Sequence, residues 1–206
     1  MQPLVVGFDL DMTLIDTVPG FAATLDVLGA ELGVRFPTEE LTAHLGPPLD
    51  LMLAPYLPAA DIPSAIDRFR ALYPTHAVPP TLLLPGVVAA LAAVRAAGGR
   101  IVVVTGKFTA NAQLHVDHLE LDVDAVEGLV WGHGKGAVLR EHGASMYIGD
   151  HVHDVEGARA AGITSVSVLT GGSTRAALEA AGTDVVLEDL TAFPAWLEEH
   201  LASKRA

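Results

Sequence analysis

Short apolar runs alternate along the chain with longer segments whose apolar residues have helical spacing. The first run, Leu4 to Phe8, lies between Pro3 and a pair of carboxylates, which predicts a buried strand that ends where the charges begin. The same pattern predicts further strands at 101–104, 125–130, 146–148, 164–169 and 184–187. Because these runs are almost wholly apolar, they are typical of a parallel sheet that is covered on both faces.

Helices are predicted in the segments between these strands. One begins near Asp16 to Pro19 and runs to Gly33, and the others cover about 85–97, 109–120, 135–142, 152–161, 173–181 and 191–202. The alternation predicts an α/β fold with a Rossmann-like, doubly wound parallel sheet. In such sheets ligands bind beyond the carboxyl ends of the strands.

Residues 34–83 have a different pattern, with nine prolines and no predicted strand. Short amphipathic stretches predict helices near 38–45, 49–57 and 61–73. We therefore expect a discontinuous α/β core formed by 1–16 and 84–206, with an inserted all-helical cap domain at 17–83.

Composition narrows the classes of function. Half of the 206 residues are hydrophobic, which is enough for a substantial core. With 25 acidic against 12 basic residues and a net charge of −13, a nucleic-acid or membrane partner held by general electrostatics is not expected. Cysteine is absent, which excludes disulfides and thiolate chemistry. With neither a signal-peptide pattern nor a transmembrane pattern, we expect a cytoplasmic protein, as a monomer or homodimer.

Two aspartates follow the first strand directly. Asp9 and Asp11 are two residues apart, and side chains at that spacing on an extended segment share a face. Paired carboxylates suit a hard cation such as Mg²⁺, or a division of labour between a nucleophile and an acid/base. The alternative is an exposed turn in which one aspartate caps a helix, and the two residues alone do not decide between these.

Other strand ends add polar residues to the same predicted edge. The 101–104 strand ends in Thr105 and Gly106, and the 146–148 strand is followed by Asp150, with Asp154 one helical turn later. Lys135 opens a helix in a glycine-rich segment. Each residue has an ordinary alternative, as a helix cap or a solvated surface group. Together, at one edge of one sheet, they indicate a functional site.

This set resembles the haloacid dehalogenase (HAD) superfamily of phosphotransferases. The family's D-x-D-x-[TV] motif matches Asp9 to Thr13, its second motif matches Thr105, its third matches Lys135, and its acidic fourth motif matches 149–154. The motifs occur in the family's order, and the helical insert resembles the C1 cap of the phosphoglycolate-phosphatase-like branch. One departure is Met12, where the family usually has glycine.

The resemblance implies a Mg²⁺-dependent phosphatase that acts on a small-molecule phosphate ester through an aspartyl-phosphate. Asp9 would be the nucleophile and Asp11 the acid/base, with Thr105 and Lys135 completing the catalytic set. The implied metal site consists of Asp9, Asp11 through its main-chain carbonyl, Asp150 and Asp154, the last either as a direct ligand or through Lys135. The implied substrate and phosphate contacts are Thr13, Gly106, and His44 and Gly46 in the cap loop.

Three alternatives differ in their chemistry. A hydrolytic dehalogenase of the same fold attacks carbon and needs neither Asp11 nor Mg²⁺, so Asp11 argues against it. A sugar-phosphate mutase of the superfamily keeps every motif and stays open. A non-catalytic binding module also stays open, although such proteins usually lose Asp9, Asp11 or Lys135. The sequence does not identify the substrate: phosphoglycolate, sugar phosphates and nucleoside monophosphates are all compatible with it.

Overall fold

The computed structural model describes residues 3–43 and 45–204, and its main body is a six-stranded sheet. The strands are β1 Val5–Phe8, β2 Ile15–Asp16, β3 Leu82–Leu83, β4 Arg100–Val104, β5 Ala125–Glu127, β6 Met146–Gly149, β7 Thr164–Val168 and β8 Val185–Leu187. The helices are α1 Val18–Leu32, α2 Thr38–Ala43, α3 Leu49–Leu53, α4 Ile62–His76, α5 Val87–Ala96, α6 Thr109–His118, α7 Gly134–Glu141, α8 Val152–Ala161, α9 Arg175–Ala181 and α10 Phe193–Ser203.

The main sheet has the strand order β5-β4-β1-β6-β7-β8, and all of its pairings are parallel. The predicted α/β class with a parallel, Rossmann-like sheet is therefore confirmed. β1 lies at the centre, with β4 on one side and β6 on the other. Since the strands are parallel, the residues that follow β1, β4 and β6 meet at one edge of the sheet.

Helices cover both faces of this sheet, as the apolar strands predict. On one face, Val6 and Phe8 pack with apolar residues of α5, α6 and α10. On the other face, Val5 and Tyr147 pack with residues of α7 and α8. Gly7 lets α7 approach closely, because a Cβ at this position would lie 2.7 Å from a methyl carbon of Leu139.

Helices α1 to α4 form a second layer with its own apolar cluster. Phe21, Leu25 and Leu28 of α1 pack against Phe69, Leu72 and Tyr73 of α4, with Met52 and Leu53 of α3 beside them. Leu114 of α6 also packs against this cluster, so the helical segment touches the sheet-bearing part. The division into two domains at the predicted boundaries stays a prediction.

The ends of the helical segment are joined by a short ribbon that the sequence pattern did not predict. Ile15–Asp16 pairs antiparallel with Leu82–Leu83. Strands of two residues are too short to give a period-two pattern. The pairing places the entry and the exit of the helical segment side by side.

The predicted end of the third cap helix, at residue 73, was too early. α4 continues through Pro74 to His76. Proline lacks an N–H and disfavours helix in the residue before it, but a helix can tolerate such a defect near its terminus. Among the described residues, no helix combines the length and apolar character needed to cross a bilayer.

Candidate active site

The carboxyl ends of β1, β4 and β6 converge on one cavity of about 380 Å³. Its floor contains most of the predicted site residues, and these are Asp9, Asp11, Thr105, Gly106, Lys135, Asp150 and Asp154. Its wall comes from α1, α3, α4 and the loop before α3. The topology therefore brings together residues that are far apart in sequence, such as Asp9 and Asp154.

Lys135 is the buried cation of this site. Its side chain is only 4% exposed, and its Nζ lies 3.0 Å from Asp9 Oδ1 and 2.6 Å from Asp154 Oδ1. It also donates to the hydroxyl of Tyr147, which itself donates to the Val104 carbonyl. Burial by itself lowers the pKa of Lys135, but the two carboxylates outweigh burial and hold it above its usual value. Lys135 therefore stays charged between two acids.

Three buried carboxylates, those of Asp9, Asp150 and Asp154, each place an oxygen within 4.8 Å of the others. Burial raises the pKa of Asp9 to about 7, because burial together with repulsion from Asp154 and Asp11 outweighs the attraction of Lys135. Burial, with Asp154 and Asp9 nearby, also raises the pKa of Asp150 well above its usual value. A divalent cation would relieve this repulsion, and carboxylate oxygens are the ligands that Mg²⁺ prefers.

Asp154 is already occupied by protein donors. Its Oδ1 accepts from Lys135, and its Oδ2 accepts from the backbone N–H of His151 at 3.0 Å, which closes a capping box at the start of α8. Asp150 is less engaged, because within residues 3–43 and 45–204 its side chain accepts one side-chain hydrogen bond, from Thr13. Asp9 and Asp150 are therefore better placed than Asp154 to offer an oxygen to a metal.

The Asp11 carboxylate is separate from that cluster and has its own cation. Lys107 Nζ lies 2.8 Å from Asp11 Oδ1, and it donates to the Tyr73 hydroxyl at 2.6 Å. That hydroxyl lies 2.9 Å from His115 Nε2. Burial and the nearby Lys107 charge lower the pKa of His115 to about 4, so its ring is neutral. Asp11 is thus linked to the helical segment through α4.

The predicted phosphate contacts differ in their exposure to the cavity. Thr105 and Gly106 line it, and Thr105 Oγ1 accepts from the backbone N–H of Lys107. Thr13 is fully buried, and its hydroxyl donates to Asp150 Oδ1 at 3.0 Å. The structure therefore places Thr13 behind Asp150, where it orients that carboxylate, and its predicted contact with phosphate stays a prediction.

The cap loop reaches the core through Gly46. This residue has a φ of +141°, and a Cβ there would lie 3.3 Å from the His151 ring. Gly46, His151 and His153 line the cavity. The other loop residue that the sequence indicated, His44, lies outside the described residues.

The backbone at Met12 explains why glycine is usual at this position. Met12 has a φ of +57°, in the left-handed region that a residue with a Cβ adopts at a cost. Its N–H donates to Ile15 and its carbonyl accepts from the Thr170 hydroxyl, so both ends of the residue are fixed. The turn carries the chain from Asp11 back toward the ribbon.

We predict that glycine at position 12 is better tolerated than alanine. Both Met12→Gly and Met12→Ala remove the thioether side chain, but only glycine removes the left-handed strain, which is worth about 1 kcal/mol. Met12→Gly should therefore melt about 2–4 °C above Met12→Ala in calorimetry.

The control for this comparison is Ala54→Gly, at an exposed position with a φ of −54°. There glycine should lower the melting temperature, because no strain is relieved. An equal or higher melting temperature for Met12→Ala than for Met12→Gly would contradict the strain at residue 12.

Several residues in or near the cavity were not predicted from the sequence. Lys107 had a usable signal, since it follows Thr105-Gly106 directly at a strand end. Tyr73 and Tyr147 had none, because their partners are distant in sequence. Arg70 of α4 also lines the cavity, and its guanidinium lies 4.4 Å from the Phe108 ring centre.

Comparison with protein families gives a match over most of the chain. The model of haloacid dehalogenase-like hydrolases matches residues 6–159, and a second model of HAD-like hydrolases matches residues 135–193. The first match contains all the residues of the cavity floor.

Curated relatives and solved structures agree with that match. The chain is 29% identical to a phosphoglycolate phosphatase of Caulobacter vibrioides, over 92% of this chain and 88% of the relative. It is 30% identical to the tyrosine-protein kinase PtkA of Mycobacterium tuberculosis, over 81% of this chain and 62% of that protein. A haloacid dehalogenase-like hydrolase structure from Streptococcus pneumoniae superposes with a TM-score of 0.82 at 24% identity, covering 97% of this chain and 98% of that one.

Proposed function

This chain belongs to the haloacid dehalogenase-like hydrolase family, and from that premise we propose that it is a Mg²⁺-dependent phosphatase for small-molecule phosphate monoesters. One observation carries the proposal. Asp9 and Asp11 line the same cavity, yet each pairs with a different lysine, Asp9 with Lys135 and Asp11 with Lys107. Two carboxylates in distinct environments suit two chemical roles.

In the first half-reaction, an oxygen of Asp9 attacks phosphorus and forms an aspartyl-phosphate. The bond between phosphorus and the alcohol oxygen breaks, and Asp11 gives its proton to that oxygen. In the second half-reaction, Asp11 takes a proton from water while the water oxygen attacks phosphorus. The bond to Asp9 then breaks, which releases inorganic phosphate and restores both aspartates.

The other residues of the cavity floor offset negative charge, bind phosphoryl oxygens or position their neighbours. Lys135 offsets negative charge on Asp9 and on the phosphoryl oxygens, since it is buried against Asp9 and Asp154. Thr105 and the Gly106 amide, at the end of β4, would bind phosphoryl oxygens. Asp154 acts through Lys135 and the start of α8.

Asp9 and Asp150, with the main-chain carbonyl of Asp11, would hold Mg²⁺. The bound cation would neutralise the buried acids and polarise a phosphoryl oxygen. The clustering of Asp9, Asp150 and Asp154, and the raised pKa values of the first two, support this assignment.

The test is release of phosphate from p-nitrophenyl phosphate, with Mg²⁺ and after its removal by EDTA. We expect turnover that falls to background with EDTA and returns with added Mg²⁺. Turnover that is indifferent to EDTA would contradict the metal requirement. A protein that hydrolyses no phosphate ester, with or without Mg²⁺, would contradict the phosphatase assignment.

The same assay separates the alternatives. A mutase moves the phosphoryl group between hydroxyls and releases little inorganic phosphate from a sugar phosphate. A binding module binds an ester without turnover. Transfer to a protein tyrosine, the activity in the name of the PtkA relative, would require a nucleotide-dependent signal on a peptide. Stoichiometric release of inorganic phosphate supports hydrolysis.

A further inference from the structure

The cavity continues beyond the catalytic floor into a wall that belongs to the helical segment. We propose that this wall binds the alcohol part of the substrate and selects a predominantly apolar alcohol over a carboxylated or polyhydroxylated one. This inference rests on the proposed phosphatase function and names the class of ester on which it acts.

The wall is made mainly of hydrocarbon. Its apolar side chains include Phe21, Leu49, Met52, Ile66 and Phe69. Phe21, Met52 and Phe69 are at most 9% exposed and belong to the packed cluster of α1, α3 and α4, so the wall is backed by a closed core. A sugar that entered here would lose hydration at its hydroxyls and find few partners. An alkyl or aryl group would gain from the same burial.

The charges around the cavity do not favour a second anionic group on the substrate. Two of the lining cations, Lys107 and Lys135, are buried and paired with catalytic-floor carboxylates. Arg70 lies over Phe108, with Asp67 at 3.7 Å. The exposed carboxylate of Asp50 also lines the cavity and would repel a substrate carboxylate.

One polar side chain in the cavity has no partner among the residues that the structure describes. Asn111, on α6, is 5% exposed and lines the cavity without a side-chain hydrogen bond there. Neither of its amide atoms is fully enclosed by protein, so water or a ligand in the cavity can hydrogen-bond to them. The side chain of Asn111 therefore forms one hydrogen bond with a hydroxyl on the substrate's alcohol.

The cavity's size agrees with an extended leaving group. About 380 Å³ lies within the range of pockets that enclose drug-sized ligands. A two-carbon acid would leave much of the apolar wall in contact with water. The selectivity should therefore increase with the length of the apolar chain, by about fourfold for each buried methylene.

The first experiment compares kcat/KM for hexyl phosphate, glycerol 1-phosphate and phosphoglycolate, with p-nitrophenyl phosphate as a reference. All three test esters have primary alcohol leaving groups. Phosphoglycolate, which carries the carboxylate, is intrinsically more reactive than hexyl phosphate. Leaving-group chemistry alone therefore does not favour hexyl phosphate over phosphoglycolate. We expect hexyl phosphate to exceed phosphoglycolate by about tenfold or more.

Variants then connect the preference to the wall. Ile66→Ala removes hydrocarbon from a half-buried wall position, and it should lower kcat/KM for hexyl phosphate by about tenfold while leaving the two polar esters unchanged. The matched control is Leu51→Ala on α3, because Leu51 is 57% exposed and does not line the cavity. That variant should behave as wild type with every ester.

Asn111→Leu separates a ligand-binding role from a structural one. It keeps a similar side-chain volume, so the melting temperature should stay within about 2 °C of wild type. It should lower kcat/KM for glycerol 1-phosphate by about fivefold and spare hexyl phosphate. An equal loss for both esters, or no loss with glycerol 1-phosphate, would overturn the assignment of Asn111.

Two outcomes would overturn the selectivity itself. If phosphoglycolate is preferred and Arg70→Gln abolishes that preference, Arg70 reads a carboxylate and the wall does not select apolar alcohols. If wild type hydrolyses p-nitrophenyl phosphate but treats the three alkyl esters alike, the phosphatase function stands and the inference fails. Absence of turnover with every ester overturns both.

Discussion

Asp9→Asn is expected to lower kcat for phosphate-ester hydrolysis by about 10⁴-fold or more while the protein stays folded. An amide oxygen is a poor nucleophile toward phosphorus, so no aspartyl-phosphate forms. The amide keeps the shape of the carboxylate and can still accept from Lys135, which lies 3.0 Å from Asp9 Oδ1. The measurement is single-turnover phosphate release with Mg²⁺, followed by a search for phosphorylated protein after rapid quenching.

The same substitution has a second, independent consequence for stability. In the metal-free protein, burial raises the pKa of Asp9 to about 7, above its ordinary value of 3.8. A raised carboxyl pKa means that the folded state binds more protons than the unfolded state between these two values. Stability is therefore fully present below about pH 4 for this group, and it is lost as the pH rises toward 7.

The amide at position 9 cannot ionise, so the Asp9→Asn protein should not lose this stability as the pH rises. Metal-free Asp9→Asn should melt several degrees above wild type at pH 8, and this difference should be clearly smaller at pH 5. Asp61→Asn, at an exposed position, is the control and should match wild type in both activity and melting. Full activity in Asp9→Asn would refute the nucleophile assignment, and an unchanged melting difference across pH would refute the buried-acid account.

Lys135→Met is expected to be the most destabilising of the single substitutions considered. It removes the one ammonium that contacts both Asp9 and Asp154, and each carboxylate is nearly buried. Breaking a buried ion pair from one side costs about 3–5 kcal/mol. Turnover should also vanish, because charge on Asp9 and on the phosphoryl group is no longer offset. The measurements are urea unfolding and phosphate release.

The pH dependence identifies the cause of that destabilisation. With Lys135 gone, protonation of Asp9 relieves its repulsion with Asp154, so the deficit should be larger at pH 8 than at pH 5. The double variant Asp9→Asn/Lys135→Met should be more stable at pH 8 than Lys135→Met alone, because one of the unpaired charges is absent. Lys204→Met, on an exposed lysine, should match wild type. A deficit that is equal at both pH values would point to lost packing.

The apolar pattern by itself determined the parallel sheet. Runs such as 101–104 and 146–148 are buried on both faces, so their hydrophobicity is continuous and local sequence suffices to find them. The same pattern placed Asp9, Thr105 and Asp150 at strand ends, and parallel topology then required those ends to share one edge. The apolar pattern did not predict the two-residue ribbon or the last turn of α4, since neither has a periodic signal.

Tertiary structure alone decided how the carboxylates are paired. Lys107 reaches Asp11 and Tyr73, and Lys135 reaches Asp9 and Tyr147, across separations that no local pattern encodes. It also decided the left-handed turn at Met12, which depends on contacts with Ile15 and Thr170. Local sequence determines which residues end a strand. Packing between distant segments determines which charged side chains meet at the strand ends and which wall of the cavity faces them.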